Sequence, residues 1–546
     1  MATLRGADLL ARSIARAGVR RVFTLSGSQI MPVFDAAIDA RLELVHVRHE
    51  AAAVHMADAW ARLTGEVGVA LVSAGPGHAN ALGALYTALA AESPVVLLSG
   101  HAPVAEFGRG AFQEMRQADM AAPATKWSWT PTTAAALGDE FARAVRTATE
   151  GRPGPVHLSL PADTLEAKVA GAEWLVPHAD AFRVEAAPLG SGAAEATLAA
   201  LGLAERPLIL IGPATMRGAA LAAARAVEAA LGIPLVGLDS PRGVHDPALG
   251  AGAEVLARAD VVLLLGRQLD FTLRFGRAPT FAAECRFIHI APDLDAVQRA
   301  SRAVGERLVL STIADVTPAC QELTRLAPGA SHRAADWREE VHRAVAYRPA
   351  AWSTVASARE GALHPAEACR AVQRLLDARS DAILVCDGGE FGQWAQACLQ
   401  APRRLTNGPG GAIGSALPFA AAARLACPEA AVVALLGDGA FGFHAAEIDT
   451  AVRHGLAFVA VVGNDACWNA EYQIQLKAYG PQRAVGCELL ATRYDLVATA
   501  LGGHGERVTR AAELPAALER AVRSGRPACV NVAIEPVAAP VIRRVR

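Results

Sequence analysis

Several features are missing from this 546-residue chain, and each absence removes a class of protein. Its nine cysteines stand at 285, 320, 369, 386, 398, 427, 467, 487 and 529, and none forms a CxxC pair. That spacing argues against a zinc site or a disulfide framework. The thiols read instead as small buried hydrophobes in a reducing compartment. No charge surplus exists: 52 Lys and Arg face 54 Asp and Glu. A coat for nucleic acid or a membrane surface carries a one-signed excess, so neither is an expected partner. No apolar run approaches the roughly 18 residues of a membrane-spanning helix. The N-terminal stretch carries Arg5, Asp8, Arg12 and Arg16 through its apolar positions. It reads as an amphipathic helix, not a signal peptide, and the expected location is cytoplasmic. No GxGxxG opens a helix after an expected strand with an acid about 20 residues on, which counts against a nicotinamide-binding oxidoreductase.

What is present is a long, apolar chain, 52% hydrophobic, with ordinary glycine and proline usage. Its length suggests about three or four domains. Short β-branched runs alternate with alanine-rich helical stretches, the pattern of βα units and parallel sheets. Fifteen strands are expected in three groups of five. The first covers 19–25, 43–47, 67–74, 94–99 and 155–160. The second covers 207–211, 233–238, 260–265, 286–291 and 308–312. The third covers 382–387, 403–407, 431–436, 457–463 and 528–534. Runs such as VVALLG are apolar at every position, as a strand covered on both faces requires. The expected fold class is α/β, with three doubly wound parallel-sheet domains at 1–170, 190–326 and 360–546. Irregular stretches near 162–192 and 326–362 read as linkers.

In such sheets, ligands sit beyond the carboxyl ends of strands. One strand ends in Gly437-Asp438-Gly439 and the next in Gly463-Asn464-Asp465. A right-handed βαβ unit places both ends at one sheet edge. Asp438 and Asp465 then suit a hard divalent cation such as Mg²⁺. The glycines admit a phosphate to the backbone, and the following helix, with Ala445, Ile448 and Val452 on one face, presents free N–H groups. A GDG tripeptide alone is a common turn; the strand–helix–strand context gives it meaning.

This segment resembles the thiamin-diphosphate fingerprint of the acetolactate synthase-like superfamily. The resemblance implies metal ligation by Asp438, Asp465 and the carbonyl of Cys467, with Gly437, Gly439 and Ala440 beside the diphosphate. It differs in having Asn464-Asp465 where the family has Asn-Asn. NGPGGAIGSALPFA (407–420) resembles the segment whose bulky residue wedges between the cofactor rings. That would be Ile413, with the Gly411 carbonyl facing the 4′-amino group. CDGGEFGQW (386–394) resembles a second diphosphate loop, lined by Gly389, Glu390 and Phe391.

VRHEAAAVHMADAWARLTG (47–65) resembles the segment carrying the family's glutamate, here Glu50. Read alone, Glu50 is an acid favoured at a helix start. In the family it hydrogen-bonds N1′ of the aminopyrimidine, a task for a buried carboxyl with a raised pKa. SAGPGHAN (73–80) and GAFQEMRQADMAAPATKW (110–127) resemble the segments over the active site. Gln113 and Gln29 are the candidate substrate-facing side chains, with Ser26 and Ser28 near Gln29. His49 and His78 read as structural, and the histidine pair of pyruvate decarboxylases is absent. The resemblance further implies a dimer, or a dimer of dimers, with Glu50 and the metal site contributed by different subunits.

Substrate is less constrained, since one fold hosts many reactions. GRQLDFTLRFG (266–276) looks like 2-hydroxyacyl-CoA lyases and oxalyl-CoA decarboxylases, and 112–127 is close to benzaldehyde lyase. This branch implies cleavage or joining of C–C bonds in 2-hydroxyacyl-CoA or 2-hydroxyketone substrates. It would place an ADP or CoA moiety at the central domain, with Arg267, Arg274, Arg277, Arg543, Arg544 and Arg546 as candidate phosphate contacts. The alternative is acetolactate synthase-type condensation of 2-oxo acids. The intact Glu50, Ile413 and Asp438 set argues against a non-catalytic scaffold.

Overall fold

The computed structural model describes residues 3–327 and 335–544. Arg546 lies outside them, as does part of the 326–362 stretch. Three parallel sheets carry the fold. The first runs Glu43–His46, Arg21–Thr24, Gly68–Val72, Val95–His101, Val156–Pro161 and Trp127–Trp129 across its width. The second runs Leu235–Gly237, Pro207–Ile211, Val261–Leu265, Arg286–Ala291 and Leu308–Ile313. The third runs Arg403–Thr406, Ile383–Cys386, Val432–Gly437, Val459–Asn464, Ala528–Ala533 and His504–Val508. All fifteen expected strands are present. Counted in chain order within each sheet, the first and third share the order 2-1-3-4-6-5, and the second is 2-1-3-4-5.

Four strands were not expected. Trp127–Trp129 and His504–Val508 are the outer strands of the first and third sheets. Thr3–Arg5 and Lys168–Ala170 form a separate antiparallel pair that ties the N-terminus to a stretch read as linker. The amphipathic N-terminal helix is present as Gly6–Arg16, with Leu9, Leu10 and Ile14 buried. Among the described residues, no helix is long and apolar enough to cross a membrane. The nine cysteines are free.

The first and third domains share one hydrophobic core. Helix Glu50–Thr64 of the first packs against both its neighbour Pro76–Ala90 and helix Ala416–Ala426 of the third, with Ala53, Val54, Ala81, Phe419 and Ala420 in one cluster. Alanine on the facing sides permits close approach of the backbones, and interiors this dense are sensitive to small volume changes. Arg62 crosses this contact. It pairs with the buried Asp58 (Nε to Oδ1 2.7 Å), donates to the Thr406 carbonyl at 2.7 Å and lies over the Phe419 ring.

Candidate functional site

Three neighbouring strands of the third sheet end at one edge, and their loops surround a cavity of about 210 Å³. Ile383–Cys386 leads into Gly388, Gly389, Glu390 and Phe391 on its rim. Val432–Gly437 delivers Asp438, Gly439 and Ala440. Val459–Asn464 delivers Asp465, Cys467 and Trp468, while Gly411 and Ile413 close the cavity from the 407–414 loop. All the third-domain residues expected to bind cofactor or metal therefore line one cavity. It lies beside the switch between the first and third strands in chain order, where doubly wound sheets bind ligands.

Asp438 accepts the Gly439 N–H at 2.9 Å with Oδ1, whereas its buried Oδ2 has no partner. A buried carboxylate oxygen without a donor is costly unless a ligand completes it. Burial pushes Asp438 up to about 6, and burial with the neighbouring Asp438 charge pushes Asp465 up to about 8. Two carboxylates opposed in this way are relieved by a cation between them. Among the described residues, no cluster of three or more His, Cys, Asp and Glu side chains forms a metal site. Two carboxylates with the Cys467 carbonyl, completed by phosphate oxygens and water, fit Mg²⁺. Asn464 builds the turn itself. Its Oδ1 accepts from Ala466 N at 3.2 Å and its Nδ2 donates to the Thr492 carbonyl at 2.9 Å. This holds Ala466 at φ +55°, a left-handed value uncommon outside glycine.

The glycines leave room that side chains would fill. A Cβ on Gly439 would stand 2.4 Å from the Trp468 ring, and one on Gly463 2.4 Å from Phe391. Gly437 and Gly389 face open space. Helix Gly389–Cys398 starts at this edge, so its free N–H groups and dipole favour an anion. The expected single helix after Gly439 is broken: Asp438–Phe443 and Glu447–Arg453 are separate. His444 leaves helical geometry there, and its Nδ1 pairs with the Gly414 carbonyl at 2.7 Å. The loop bearing Ile413 is thereby tied to the GDG segment. Glu390 lines the cavity, but its carboxylate faces Arg242 at 3.4 Å and the Ala539 N–H at 2.9 Å.

Asp387 was missed by sequence reasoning. It is fully buried and accepts the N–H groups of Gly388, Gly414 and Ala416. Two cavity loops hang on that one carboxylate. Its signal was its place at the strand end, the position that had drawn attention to Asp438.

The first-domain candidates form a second group. Gln29 donates to Gln113 Oε1 at 2.9 Å and accepts from Ser73 at 2.7 Å. Gln113 holds φ +57° against Gly75, while Gly77 abuts Glu50 Oε1. Glu50 Oε2 accepts from Asn80 at 3.0 Å; Asn80 was also missed, although it lies within SAGPGHAN. Glu50, Gln29 and Gln113 thus surround the start of helix Pro76–Ala90. In this chain none of them lines the third-domain cavity. Glu50 is half-buried, not buried as expected, because the single chain leaves one side of it uncovered. Ser26 pairs with His46, and Ser28 donates to Gln29. His49 caps its helix through Ala51 N, and His78 is buried against Ser99.

The arginines proposed for a nucleotide are differently engaged. Arg267 is buried and bonded to Asp270 and Thr272. Arg544 pairs with Glu254 and Glu340, both at 2.8 Å. Arg277 covers Phe275, while Arg274 and Arg543 are exposed. Carboxylate and hydroxyl partners already occupy Arg267 and Arg544 within the fold.

A three-domain parallel α/β chain with an aspartate-lined, glycine-walled anion cavity defines a diphosphate-cofactor enzyme. The chain belongs to the thiamine pyrophosphate enzyme family. Its N-terminal TPP-binding domain matches residues 4–120, its central domain 194–323 and its C-terminal TPP-binding domain 387–532. The chain is 34% identical over 552 residues to the acetolactate synthase large subunit IlvG of Mycobacterium tuberculosis, covering 98% of this chain and 96% of that protein. It is 32% identical to 2-hydroxyacyl-CoA lyase 2 of Danio rerio (92% of this chain, 87% of that one). It is 30% identical to the Homo sapiens lyase of that name (97% and 90%). The chain is a thiamin-diphosphate-dependent enzyme, and its relatives span both the lyase and the synthase branches.

Proposed function

We propose that the enzyme is a Mg²⁺-dependent lyase and carboligase of 2-hydroxyacyl-CoA or 2-hydroxyketone substrates, assembled as a dimer or a dimer of dimers. The observation that carries the cofactor assignment is the unpartnered Oδ2 of Asp438 in a cavity shared with Asp465 and Ile413. Asp438, Asp465 and the Cys467 carbonyl hold the cation, and the N–H groups around Gly389 and Gly439 hold the diphosphate. Bound thiamin diphosphate supplies the electron sink for C–C cleavage. Glu50 stands outside the cavity of its own chain. A second subunit would bring it to the aminopyrimidine, where its carboxyl would hold a proton at N1′. Gln29 and Gln113, locked together beside Glu50, offer an amide N–H and an amide oxygen to orient the substrate.

Acetolactate synthase-type condensation is the second reading. Its support is the 34% identity over nearly the whole length of the mycobacterial protein. One assay separates the two. The enzyme is incubated with formyl-CoA plus an aldehyde, and separately with pyruvate, and products are identified by mass spectrometry. A 2-hydroxyacyl-CoA from the first incubation is the expected result. Acetolactate from pyruvate alone would favour the second reading.

A further inference from the structure

A second, larger cavity of about 430 Å³ lies where the three domains meet, on the other side of the 407–413 loop from the cofactor cavity. Four arginines line it: Arg62, Arg217, Arg403 and Arg404. Two are neutralised, Arg62 by Asp58 and Arg404 by Asp239 at 3.1 Å. The other two have no carboxylate partner among the described residues. Arg217 spends its donors on carbonyl oxygens, Nε on Pro213 at 2.8 Å and Nη2 on Ala91. Arg403 donates to Cys427 Sγ at 2.8 Å and to the Asp381 carbonyl at 3.0 Å. Glu92, near Arg217, is taken by Arg152 and the Ala214 N–H. The strain of this arrangement shows at Arg217, which burial and the nearby Arg62 pull down to about 10. Much of the remaining wall is apolar, from Leu63, Met216, Leu221, Leu405 and Pro409.

Two arginines without an ion-pair partner, in the wall of a largely apolar chamber, suit a two-charge anion with a compact apolar body. We propose that this cavity is a second ligand site, taking a phosphate monoester or a dicarboxylate, and that it communicates with the cofactor site. The connection is short. Gly408 and Pro409 line the new cavity, while Gly411 and Ile413, in the same loop, line the cofactor cavity. A ligand that orders one end of this loop changes the affinity at the other, and such coupling is reciprocal. The inference does not depend on which C–C reaction the enzyme performs.

The test uses holoenzyme saturated with thiamin diphosphate and Mg²⁺, so that the cofactor cavity is filled. Inorganic phosphate and succinate are titrated separately by calorimetry, with Arg217→Gln and Arg403→Gln as comparison proteins. The expected result is one site per chain for at least one probe, weakened about tenfold or more in each variant. The stronger probe identifies the head group. Retained thiamin diphosphate binding shows that each variant is folded. Arg403, at the half-buried start of its strand, gives the safer variant should Arg217→Gln fail to fold. Absence of binding by both probes up to about 20 mM would overturn the proposal. So would binding that both variants leave unchanged, or binding that disappears once the cofactor site is saturated.

Discussion

Glu447 of the third domain accepts the backbone N–H of Arg48 at 3.1 Å, two residues before Glu50. The carboxylate is buried and also takes the Thr450 hydroxyl at 2.6 Å. It therefore anchors the segment that presents Glu50. Burial pushes Glu447 up to about 7 from an ordinary 4.5. The folded chain keeps this proton where the unfolded chain releases it. Its contribution to stability is full below about 4.5 and is lost as pH rises through about 7. Glu447→Gln keeps an acceptor for Arg48 without the titration. Its melting temperature is expected to fall less than that of the native protein between about pH 5 and 8, measured by calorimetry. Equal slopes would contradict the assignment.

Glu50→Gln is expected to lose nearly all turnover while thiamin diphosphate affinity stays within a few-fold of native. The proposed diphosphate and metal contacts lie in another domain, so binding and chemistry should separate. Steady-state rates and calorimetry on the same preparation check this, and unchanged turnover would remove Glu50 from the mechanism.

Chelation of divalent cations is expected to release thiamin diphosphate, because on the proposed assignment a cation would neutralise both the Asp438–Asp465 pair and the diphosphate. Dialysis against a chelator followed by cofactor quantification provides the measurement. Full retention of cofactor without metal would contradict the role given to Asp438.

Gly439→Ala places a methyl group against the Trp468 ring, 2.4 Å from its nearest carbon. Cofactor affinity is expected to fall by about tenfold or more, since crowding here moves Trp468 into the cavity or shifts the GDG turn. The double variant Gly439→Ala with Trp468→Ala should recover part of the loss. Calorimetric affinities for the two variants decide it.

Asp58→Ala leaves the Arg62 guanidinium buried without its partner, at an expected cost of about 3–5 kcal/mol. Urea unfolding gives the value. A cost below about 1 kcal/mol would show that Arg62 escapes to solvent.

The legible parts of this chain were those where chemistry and periodicity agree locally. Val432–Gly437 is apolar because helices cover both faces, and its end carries the chemistry, so strand and site were visible together. Trp127–Trp129 and His504–Val508 escaped notice because an outer strand is covered on one side only. Their Ser128, Glu506 and Arg507 break the apolar run. The break at His444 depends on a carbonyl thirty positions earlier, which no local pattern contains. Asp387 was hidden for a related reason: its partners are backbone N–H groups of a distant loop. Glu50 lay in a motif that could be read, but its distance from the cavity belongs to three-dimensional packing.

The merged interior of the first and third domains fixes where motion can occur. Sliding helix Glu50–Thr64 past Ala416–Ala426 would expose close-packed alanines and strand Arg62, so these two domains move as one rigid block. The pieces held outside that interior are fastened by scattered polar contacts. The final segment is one, attached through Ala538 to Trp394, Val537 to Asn469 and Arg544 to two glutamates. A hinge for this enzyme is to be sought in that last stretch of chain, where a handful of polar ties can break and reform without disturbing the interior.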